Sequence, residues 1–388
     1  MIPFDQSERA AFSRLVDLKA KSGSHSPSPA EVEAAISPQK VKIDACFLSN
    51  PYATDLFIDY FGKTVAKNDI RRYVENYPSQ NHSLAERISR LVGAAPENIL
   101  ITNGAIEGIE LLVKEWIKGR FVVNIPTFSS YYEFCSDPER VIYNRLEKSN
   151  NYKLNVDKLL DIMDSESPDA IILINPNNPD GQLVQSSEVE RLCTEALKRG
   201  VNIVIDESFI QLAPGFRSFT EATHIKLRMR YPNVVIVKSL SKDFGIAGLR
   251  LGYIVANQEV VAECLKYGKL WNINGISELF IDYLADEDFT DAYETARVKH
   301  IEDTIELSRL LSEIRGVTAL PTSTNFVLLD THDVDPTIFA AALLIRYGVL
   351  ARSASDKIGL EGNYIRIATR RRDENISIAR AIRELVAE

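Results

Sequence analysis

The chain lacks long apolar runs, an excess of basic residues and clustered cysteines. No stretch approaches the roughly 20 apolar residues that span a bilayer. The N-terminal residues carry acids without a continuous apolar segment, which argues against a signal peptide. The net charge of −9 gives no electrostatic case for nucleic acid or an anionic membrane as a partner. The four cysteines form no CxxC motif, so we expect reduced thiols rather than disulfides or metal ligands. These absences favour a cytoplasmic protein with no metal site.

What the sequence does contain is a regular alternation of apolar and amphipathic segments. The chain has 388 residues, of which 45% are hydrophobic, enough for two domains of ordinary size. Between residues 99 and 239, short strands that are apolar throughout alternate with amphipathic helices. This pattern indicates a parallel sheet covered by helices on both faces, and such sheets bind their ligands at the carboxyl ends of the strands. Segment 250–256 follows the previous strand without a helix, so we expect it to join the sheet antiparallel.

The two ends of the chain show a different organisation. A helix is predicted over 7–21, followed by a Ser/Pro-rich linker, and a capping box formed by Ser83 and Glu86 predicts a helix start. From residue 257 onward the chain reads as a long helix near 276–315, followed by strands and helices. We therefore predict a large α/β domain over 46–272 and a small α+β domain made of 1–45 and 273–388.

The stretch VVIVKSLSKDFGIAGLRLGYIVA, residues 234–256, gathers reactive groups at a strand end. The hydroxyls of Ser239 and Ser241 and the guanidinium of Arg250 suit a phosphate group. The amine of Lys242 suits a carbonyl with which it can form a Schiff base. Pyridoxal 5′-phosphate (PLP) carries both groups. The alternative is a strand end with solvated charges, and this short motif alone does not decide between them.

Other polar or aromatic residues follow neighbouring strands. Asp206 ends the strand VNIVID, where its carboxylate could pair with a pyridine nitrogen or serve as a helix cap or salt bridge. Asn178, in NPNNPDG, could donate to a ring oxygen. Phe128 could stack on a planar ring or belong to the core. The turn Asn103-Gly104-Ala105 is either an anion site at a helix N-terminus or a plain turn.

Two arginines in the C-terminal part suit carboxylate or phosphate groups. Arg366 lies in NYIRIATR, on one face of a predicted strand, and a planar guanidinium can bind an α-carboxylate through two hydrogen bonds. Arg352, in VLARSAS, lies on the neighbouring predicted strand and could add a second anion contact.

Taken in order, the motifs TNGAIE, NPNNPDG, IDESF, SLSK–GLRLGY and NYIRIA resemble those of a known superfamily. They are similar to fold-type I PLP enzymes of the aspartate aminotransferase superfamily, in the branch of histidinol-phosphate aminotransferase and threonine-phosphate decarboxylase. The resemblance extends from about residue 44 to the end of the chain. It implies the α/β PLP-dependent transferase fold of type I, with a mostly parallel seven-stranded sheet domain and a smaller α+β domain.

The resemblance also implies a role for each candidate residue. Lys242 would hold PLP as a Schiff base and move the proton at Cα, while Asp206 pairs with the pyridine nitrogen, Asn178 bonds the phenolic oxygen and Phe128 stacks on the ring. The PLP phosphate would be held by Ser239, Ser241, Arg250 and the amides at Gly104, Ala105 and Ile106. Tyr77 would reach the cofactor phosphate of a second subunit, which implies a homodimer with shared active sites. Arg366 would bind the substrate carboxylate, with Asn325 near it.

Two departures bear on the reaction. Phe209 stands where many aminotransferases have a tyrosine, and a phenylalanine at this position resembles the decarboxylase branch. The segment FLSNPYATDLF differs from the motif that is usual in either relative. Because aminotransferases are more common in the superfamily, we expect an aminotransferase acting on an amino acid or a phosphorylated amine. The alternative is an α-decarboxylase of a phospho- or phosphono-amino acid. A third hypothesis, the PLP-binding domain of a transcription regulator, needs a DNA-binding module for which residues 1–45 are too few and not basic enough.

Overall fold

The computed structural model describes residues 2–23, 25–286 and 288–387. The strands are β1 Ile43–Asp44, β2 Ile99–Thr102, β3 Phe121–Ile125, β4 Val141–Arg145, β5 Ala170–Ile174, β6 Asn202–Asp206, β7 Val234–Ser239, β8 Gly252–Val255, β9 Thr318–Ala319, β10 Phe326–Asp330, β11 Val349–Leu350, β12 Arg352–Ser353 and β13 Tyr364–Ala368. The helices are α1 Gln6–Lys21, α2 Pro29–Ile36, α3 Pro51–Ala66, α4 Arg71–Glu75, α5 Asn81–Val92, α6 Gly104–Leu111, α7 Ser130–Glu133, α8 Val156–Glu166, α9 Ser186–Lys198, α10 Ile225–Arg230, α11 Gln258–Tyr267, α12 Gly275–Leu284, α13 Phe289–Ser312, α14 Pro336–Ala342 and α15 Arg372–Ala387.

The largest sheet has seven strands in the order β2-β8-β7-β6-β5-β3-β4. Neighbouring strands from β7 to β4 run parallel, whereas β8 pairs antiparallel with both β2 and β7. The antiparallel pairing arises because no crossover helix separates β7 from β8; residues 240–251 form a loop with the short 3-10 helix Ala247–Leu249. This confirms the prediction for segment 250–256 and the mostly parallel seven-stranded sheet.

Two apolar cores cover the faces of this sheet, because its strands are buried on both sides. One core contains Val234 and Ile236 of β7 and packs against α5, α8, α9 and α12. The other contains Val235 and Val237 and packs against α6 and α11. Successive side chains of β7 therefore enter opposite cores, as strand geometry requires.

A second, four-stranded antiparallel sheet has the order β12-β13-β10-β9 and packs with α13, α14 and α15 around its own apolar core. Helix α1 lies against α14 at this end of the molecule, and β1 pairs in parallel with β11. This α+β unit confirms the predicted fold class, while the domain boundaries remain a prediction. Among the described residues, no helix is long and apolar enough to cross a membrane.

Three local predictions are wrong. The helix expected over 276–315 is two helices, α12 and α13, and in the segment between them the Asp286 carboxylate accepts a hydrogen bond from the Asp288 amide, which competes with helical bonding. Helix α5 begins at Asn81, so Ser83 lies inside the helix instead of capping it, and its hydroxyl accepts from Arg87. The predicted linker is partly helical, because Ser28 forms a capping box with Glu31 at the start of α2.

Candidate active site

A cavity of about 250 Å³ lies at the carboxyl ends of β5, β6 and β7. Its walls come from three parts of the chain: the end of the large sheet, the N-terminal segment, and the turns and strands near the C-terminus. The described lining residues are His25, Ser26, Cys46, Phe47, Leu48, Ala105, Ile106, Ile109, Phe128, Ile174, Asn178, Asp206, Ser208, Phe209, Ser239, Ser241, Lys242, Arg250, Arg352, Lys357 and Arg366. Most of the residues predicted from the sequence therefore meet in one pocket.

The polar residues of this pocket form two groups. The cofactor end is formed by Asp206, Ser239, Ser241, Lys242 and Arg250. The anion end is formed by Arg352, Lys357 and Arg366.

Lys242 lies in the turn after β7, where the Asn50 amide donates to its carbonyl oxygen over 2.8 Å. Burial lowers the pKa of Lys242 to about 8, and the positive charges of Arg366 and Arg250 act in the same direction. An amine with this pKa is partly unprotonated near neutral pH, whereas an ordinary lysine is not. Lys242 is therefore suited to react as a nucleophile with a carbonyl group.

Asp206 lies at the end of β6 and is 4% exposed. Its Oδ1 accepts a hydrogen bond from the Ser208 amide over 2.9 Å, and its Oδ2 accepts one from the Tyr131 hydroxyl over 2.9 Å. Burial raises the pKa of Asp206, while these hydrogen bonds and the charge of Lys238 oppose the rise. A buried carboxylate held in this way is a suitable partner for a protonated pyridine nitrogen.

Tyr131 was not predicted from the sequence, although it bonds the predicted site residue Asp206. It is fully buried in α7, whereas Phe128 lies in the turn before that helix. The sequence contains no distinct signal for Tyr131, because an aromatic residue after a strand is more often part of a core.

The turn between β2 and α6 forms a concave backbone surface next to Arg250. Gly104 has a φ of 71°, and a Cβ atom there would lie 2.6 Å from Nη2 of Arg250. A Cβ atom at Gly252 would lie 2.6 Å from the Ala105 amide nitrogen, so both glycines are needed for this close packing. A side chain at either position would displace the guanidinium or the amides from the place where they converge.

These features fit PLP. An arginine and the N-terminal amides of α6 converge on one side, and the Ser241 amide donates to the Ser239 hydroxyl over 3.2 Å beside them, so the set suits a phosphate. Lys242 suits the aldehyde and Asp206 the ring nitrogen. Phe128, which lines the same cavity, offers a ring face.

Arg366 of β13 links the two ends of the pocket. Its Nη1 donates to Oδ1 of Asn178 over 2.9 Å, and its Nη2 donates to the Cys46 carbonyl over 3.0 Å. Its Nε is buried and has no hydrogen-bond partner among the described residues. Because the guanidinium occupies the oxygen of Asn178, the amide nitrogen is the part of that side chain that can donate to a ring oxygen.

Lys357 was not predicted from the sequence, although it lies beside Arg352. Burial lowers its pKa to about 8, and the charges of Arg352 and Arg366 act in the same direction while Asp356 opposes them. Its Nζ lies 6.0 Å from the centre of the Phe128 ring. No strand or helix periodicity marks residues 354–358, so the sequence offered no signal for this lysine.

The N-terminal segment is fastened to the anion end. Oδ2 of Asp356 accepts from Nη2 of Arg352 over 2.6 Å and from Nζ of Lys19 over 3.2 Å. Lys19 also donates to the carbonyl of His25 over 2.9 Å, and His25 lines the cavity. The predicted linker is thus part of the pocket wall.

Two predicted residues lie elsewhere. Tyr77 is 80% exposed and its ring centre lies 4.8 Å from that of Trp271, on the surface. Asn325 is fully buried, and its Nδ2 lies 3.3 Å from Nε2 of His300. Neither is among the described residues that line the cavity. Within one copy of the chain, no contact among the described residues supports the role predicted for either residue.

The fold and the pocket define a PLP-dependent enzyme of fold type I. The chain belongs to the aminotransferase class I and II family, whose model matches residues 49–382. It is 40% identical over 390 residues to the L-serine phosphate decarboxylase of Campylobacter jejuni, covering 100% of both chains. It is also 40% identical over 373 residues to the L-serine phosphate decarboxylase of Sulfurospirillum multivorans, covering 96% of this chain and 95% of that protein. A solved structure of a decarboxylase from Sulfurospirillum multivorans superposes with a TM-score of 0.91 at 38% identity, covering 98% of each chain.

These comparisons overturn the expectation of an aminotransferase. The two relatives at 40% identity, which match nearly the whole chain, are decarboxylases, in agreement with the alternative raised from Phe209. That expectation was wrong because the motifs behind it lie mostly at the cofactor end, and the same residues there can serve both reactions.

Proposed function

We propose that the chain is a PLP-dependent decarboxylase of a phosphorylated α-amino acid, with O-phospho-L-serine as its substrate. The observation that carries this proposal is a second cationic group in the cavity: Arg352 and Lys357 line it in addition to Arg366. A substrate with both a carboxylate and a phosphate needs two such positions. The two decarboxylases at 40% identity support the same substrate class.

In the proposed arrangement, Arg352 and Lys357 bind the phosphate and Arg366 orients the carboxylate. Arginine can donate to a phosphate or carboxylate through two parallel bonds, and lysine adds a point charge. Holding the side-chain end would restrict rotation of the substrate about its Cα–N bond. Arg366 would then set the direction of the carboxylate, and so the bond to Cα that is broken.

The bound PLP supplies an electron sink for the pair left on Cα when CO₂ departs. Asp206 keeps the ring nitrogen protonated through its buried carboxylate. Lys242 then delivers a proton to Cα, since its lowered pKa allows it to exchange protons near neutral pH. This proton replaces the carboxyl group on Cα, so O-phospho-L-serine and one proton give CO₂ and phosphoethanolamine.

The test is product analysis with O-phospho-L-serine as substrate and L-serine as the matched control. We expect one CO₂ and one phosphoethanolamine for each substrate consumed, and far slower reaction with L-serine because the phosphate anchor is absent. Consumption of O-phospho-L-serine without release of CO₂ would contradict the proposal.

We also propose that the enzyme is a homodimer. Tyr77 is 80% exposed and contacts Trp271, and their sequence neighbours Val74 and Leu270 are 70% and 72% exposed. Large apolar groups therefore face outward there. Exposed apolar patches of this kind are typical of protein interfaces, and the predicted role of Tyr77 at a second copy's cofactor requires that this one be buried against that copy. Light scattering should give twice the chain mass of 43.5 kDa, and a monomer at micromolar concentration would exclude the shared site.

A further inference from the structure

A second set of charged side chains lies behind the pocket, on the opposite face of the large sheet. In β7, Val235 and Val237 share one core, and Ser239 continues that face into the pocket. Lys238 alternates with them and therefore points to the other face, where it is 2% exposed. It lines no part of the cavity among the described residues, and the mechanism above does not use it.

The ammonium of Lys238 joins two turns. Its Nζ lies 2.7 Å from Oδ2 of Asp243, which is 0% exposed and directly follows Lys242. The same Nζ donates to the carbonyl of Glu207 over 3.1 Å, and Glu207 directly follows Asp206. One buried cation thus holds the residues next to Lys242 and next to Asp206.

The surroundings of this cation are also ordered. The Glu207 carboxylate lies 2.7 Å from Nδ1 of His224 through Oε1 and accepts from the Thr223 hydroxyl over 2.7 Å through Oε2. Tyr253 of β8 and Tyr293 of α13 lie near Asp243: burial raises the pKa of both hydroxyls, and the charge of Asp243 raises it further. Glu207 is therefore held at two points, by the bonds to its carboxylate and by the bond from Lys238 to its carbonyl.

Stability alone is a poor explanation for a fully buried ion pair. Removing two charges from water costs about as much as their attraction returns, so a pair of apolar residues of the same volume would be about as stable. A role in geometry would explain why the ion pair is present. Asp206 and Lys242 must be spaced so that they reach the ring nitrogen and the aldehyde carbon of one rigid ligand.

We propose that Lys238 is a positioning residue that fixes the turn carrying Asp206 relative to the turn carrying Lys242, so that both meet the cofactor at once. It acts through the Glu207 carbonyl and the Asp243 carboxylate and touches neither substrate nor cofactor. This role depends on PLP binding by Asp206 and Lys242 but not on which substrate is decarboxylated.

The test compares Lys238→Met with the double variant Lys238→Met/Asp243→Leu. The single variant leaves Asp243 buried without its cation, so we expect a lower melting temperature and loss of cofactor. The double variant removes both charges and should regain most of the melting temperature. If Lys238 positions the two turns, the double variant still shows weaker visible circular dichroism of bound PLP and a Kd for PLP raised about tenfold, the worth of one strong hydrogen bond.

Arg297→Met is the matched control. Arg297 is 1% exposed and, like Lys238, bonds both an acid, Glu294, and a main-chain carbonyl, that of Gln211, but it lines no part of the pocket. Its loss should lower the melting temperature without changing the circular dichroism or the Kd of PLP. Wild-type circular dichroism and PLP affinity in the double variant would overturn the positioning role. If the double variant does not fold, Lys238→Met is compared with Arg297→Met, and identical cofactor signals in the two would overturn it equally.

Discussion

The cofactor end and the anion end of the pocket are built in different ways. At the cofactor end, Asp206, Ser239 and Lys242 lie at or just after the ends of adjacent strands, and the backbone ladder of the sheet sets their spacing. At the anion end, the β12–β13 ladder places Arg352 opposite Arg366, but Lys357 lies in the loop after β12. Side-chain bonds to distant parts of the chain, from Lys19 to Asp356 and from Arg366 to the Cys46 carbonyl, complete this end. A ladder of hydrogen bonds is common to a whole fold, whereas side-chain bonds of this kind belong to an individual protein.

The comparison shows where the substrate choice of such an enzyme lies. The cofactor end can remain the same while the reaction and the substrate change, because the cofactor provides the chemistry. In the proposed arrangement, the anion end decides which groups of the substrate are held, and in which orientation. Variants at the two ends should therefore fail in different ways.

Lys242→Ala tests the cofactor end and should have the largest effect. Without the amine, the visible absorption band of the bound cofactor should be lost and turnover should fall by about 10³-fold or more. The measurement is a visible spectrum together with a CO₂ release assay. Lys357→Ala serves as the control, because it removes an amine of similar pKa from the same cavity and should leave the visible band in place. A yellow and active Lys242→Ala protein would contradict the assignment.

Arg352→Met and Lys357→Met test the anion end. Each removes one charge-assisted bond to the phosphate, so we expect kcat/KM for O-phospho-L-serine to fall by about 10- to 100-fold. The visible spectrum and the Kd of PLP should stay unchanged, which separates these variants from those at the cofactor end. Equal losses in PLP affinity and in kcat/KM would show that the two ends are not independent. An unchanged kcat/KM in both variants would remove the proposed phosphate site.

The pH dependence of substrate binding sharpens the same comparison. Because the pKa of Lys357 is lowered to about 8, its ammonium carries a full charge only below that pH and loses the charge as the pH rises. At pH 9 about one tenth of the side chain remains protonated. We expect KM for O-phospho-L-serine to rise by up to about tenfold between pH 7 and pH 9.

The pKa of Lys242 as a free amine is also lowered to about 8, so the comparison needs a control for every group other than Lys357. Dividing the wild-type pH profile by that of Lys357→Met removes the contribution of Lys242, which both proteins share. A ratio that does not change with pH would show that Lys357 does not bind the phosphate.

The two ends also differ in how well they could be predicted from the sequence. Strand alternation and the motif around Lys242 predicted Asp206, Ser239 and Arg250 at one edge of one sheet. This was possible because the pattern of a strand can be recognised from a few consecutive residues. Lys357 and His25 lie in segments without periodicity, and their position depends on the contacts of Asp356 with Arg352 and Lys19. Such long-range contacts have no local signature. The break between α12 and α13 was missed for a different reason: it involves a local bond, from the Asp288 amide to the Asp286 carboxylate, which the apolar pattern of the segment does not show.

Phe209→Tyr gives the smallest expected effect and lies where the two ends meet. The Phe209 ring lines the cavity and packs edge-on against Phe326, with 5.4 Å between ring centres, in a cluster with Leu48 and Ala368. A hydroxyl added at its edge would supply the donor that many aminotransferases have at this position. A donor favours the ionised form of a phenolic oxygen, so the midpoint pH of the visible-band titration should fall by about one unit or less, the worth of a single hydrogen bond.

Phe326→Tyr is the matched control for this change. Phe326 is fully buried in the same cluster but is not among the described residues that line the cavity. Burying a hydroxyl there should lower the melting temperature without moving the absorbance titration. If Phe209→Tyr and wild type titrate identically, the missing tyrosine has no influence on the cofactor, and the difference from aminotransferases must then lie wholly at the anion end.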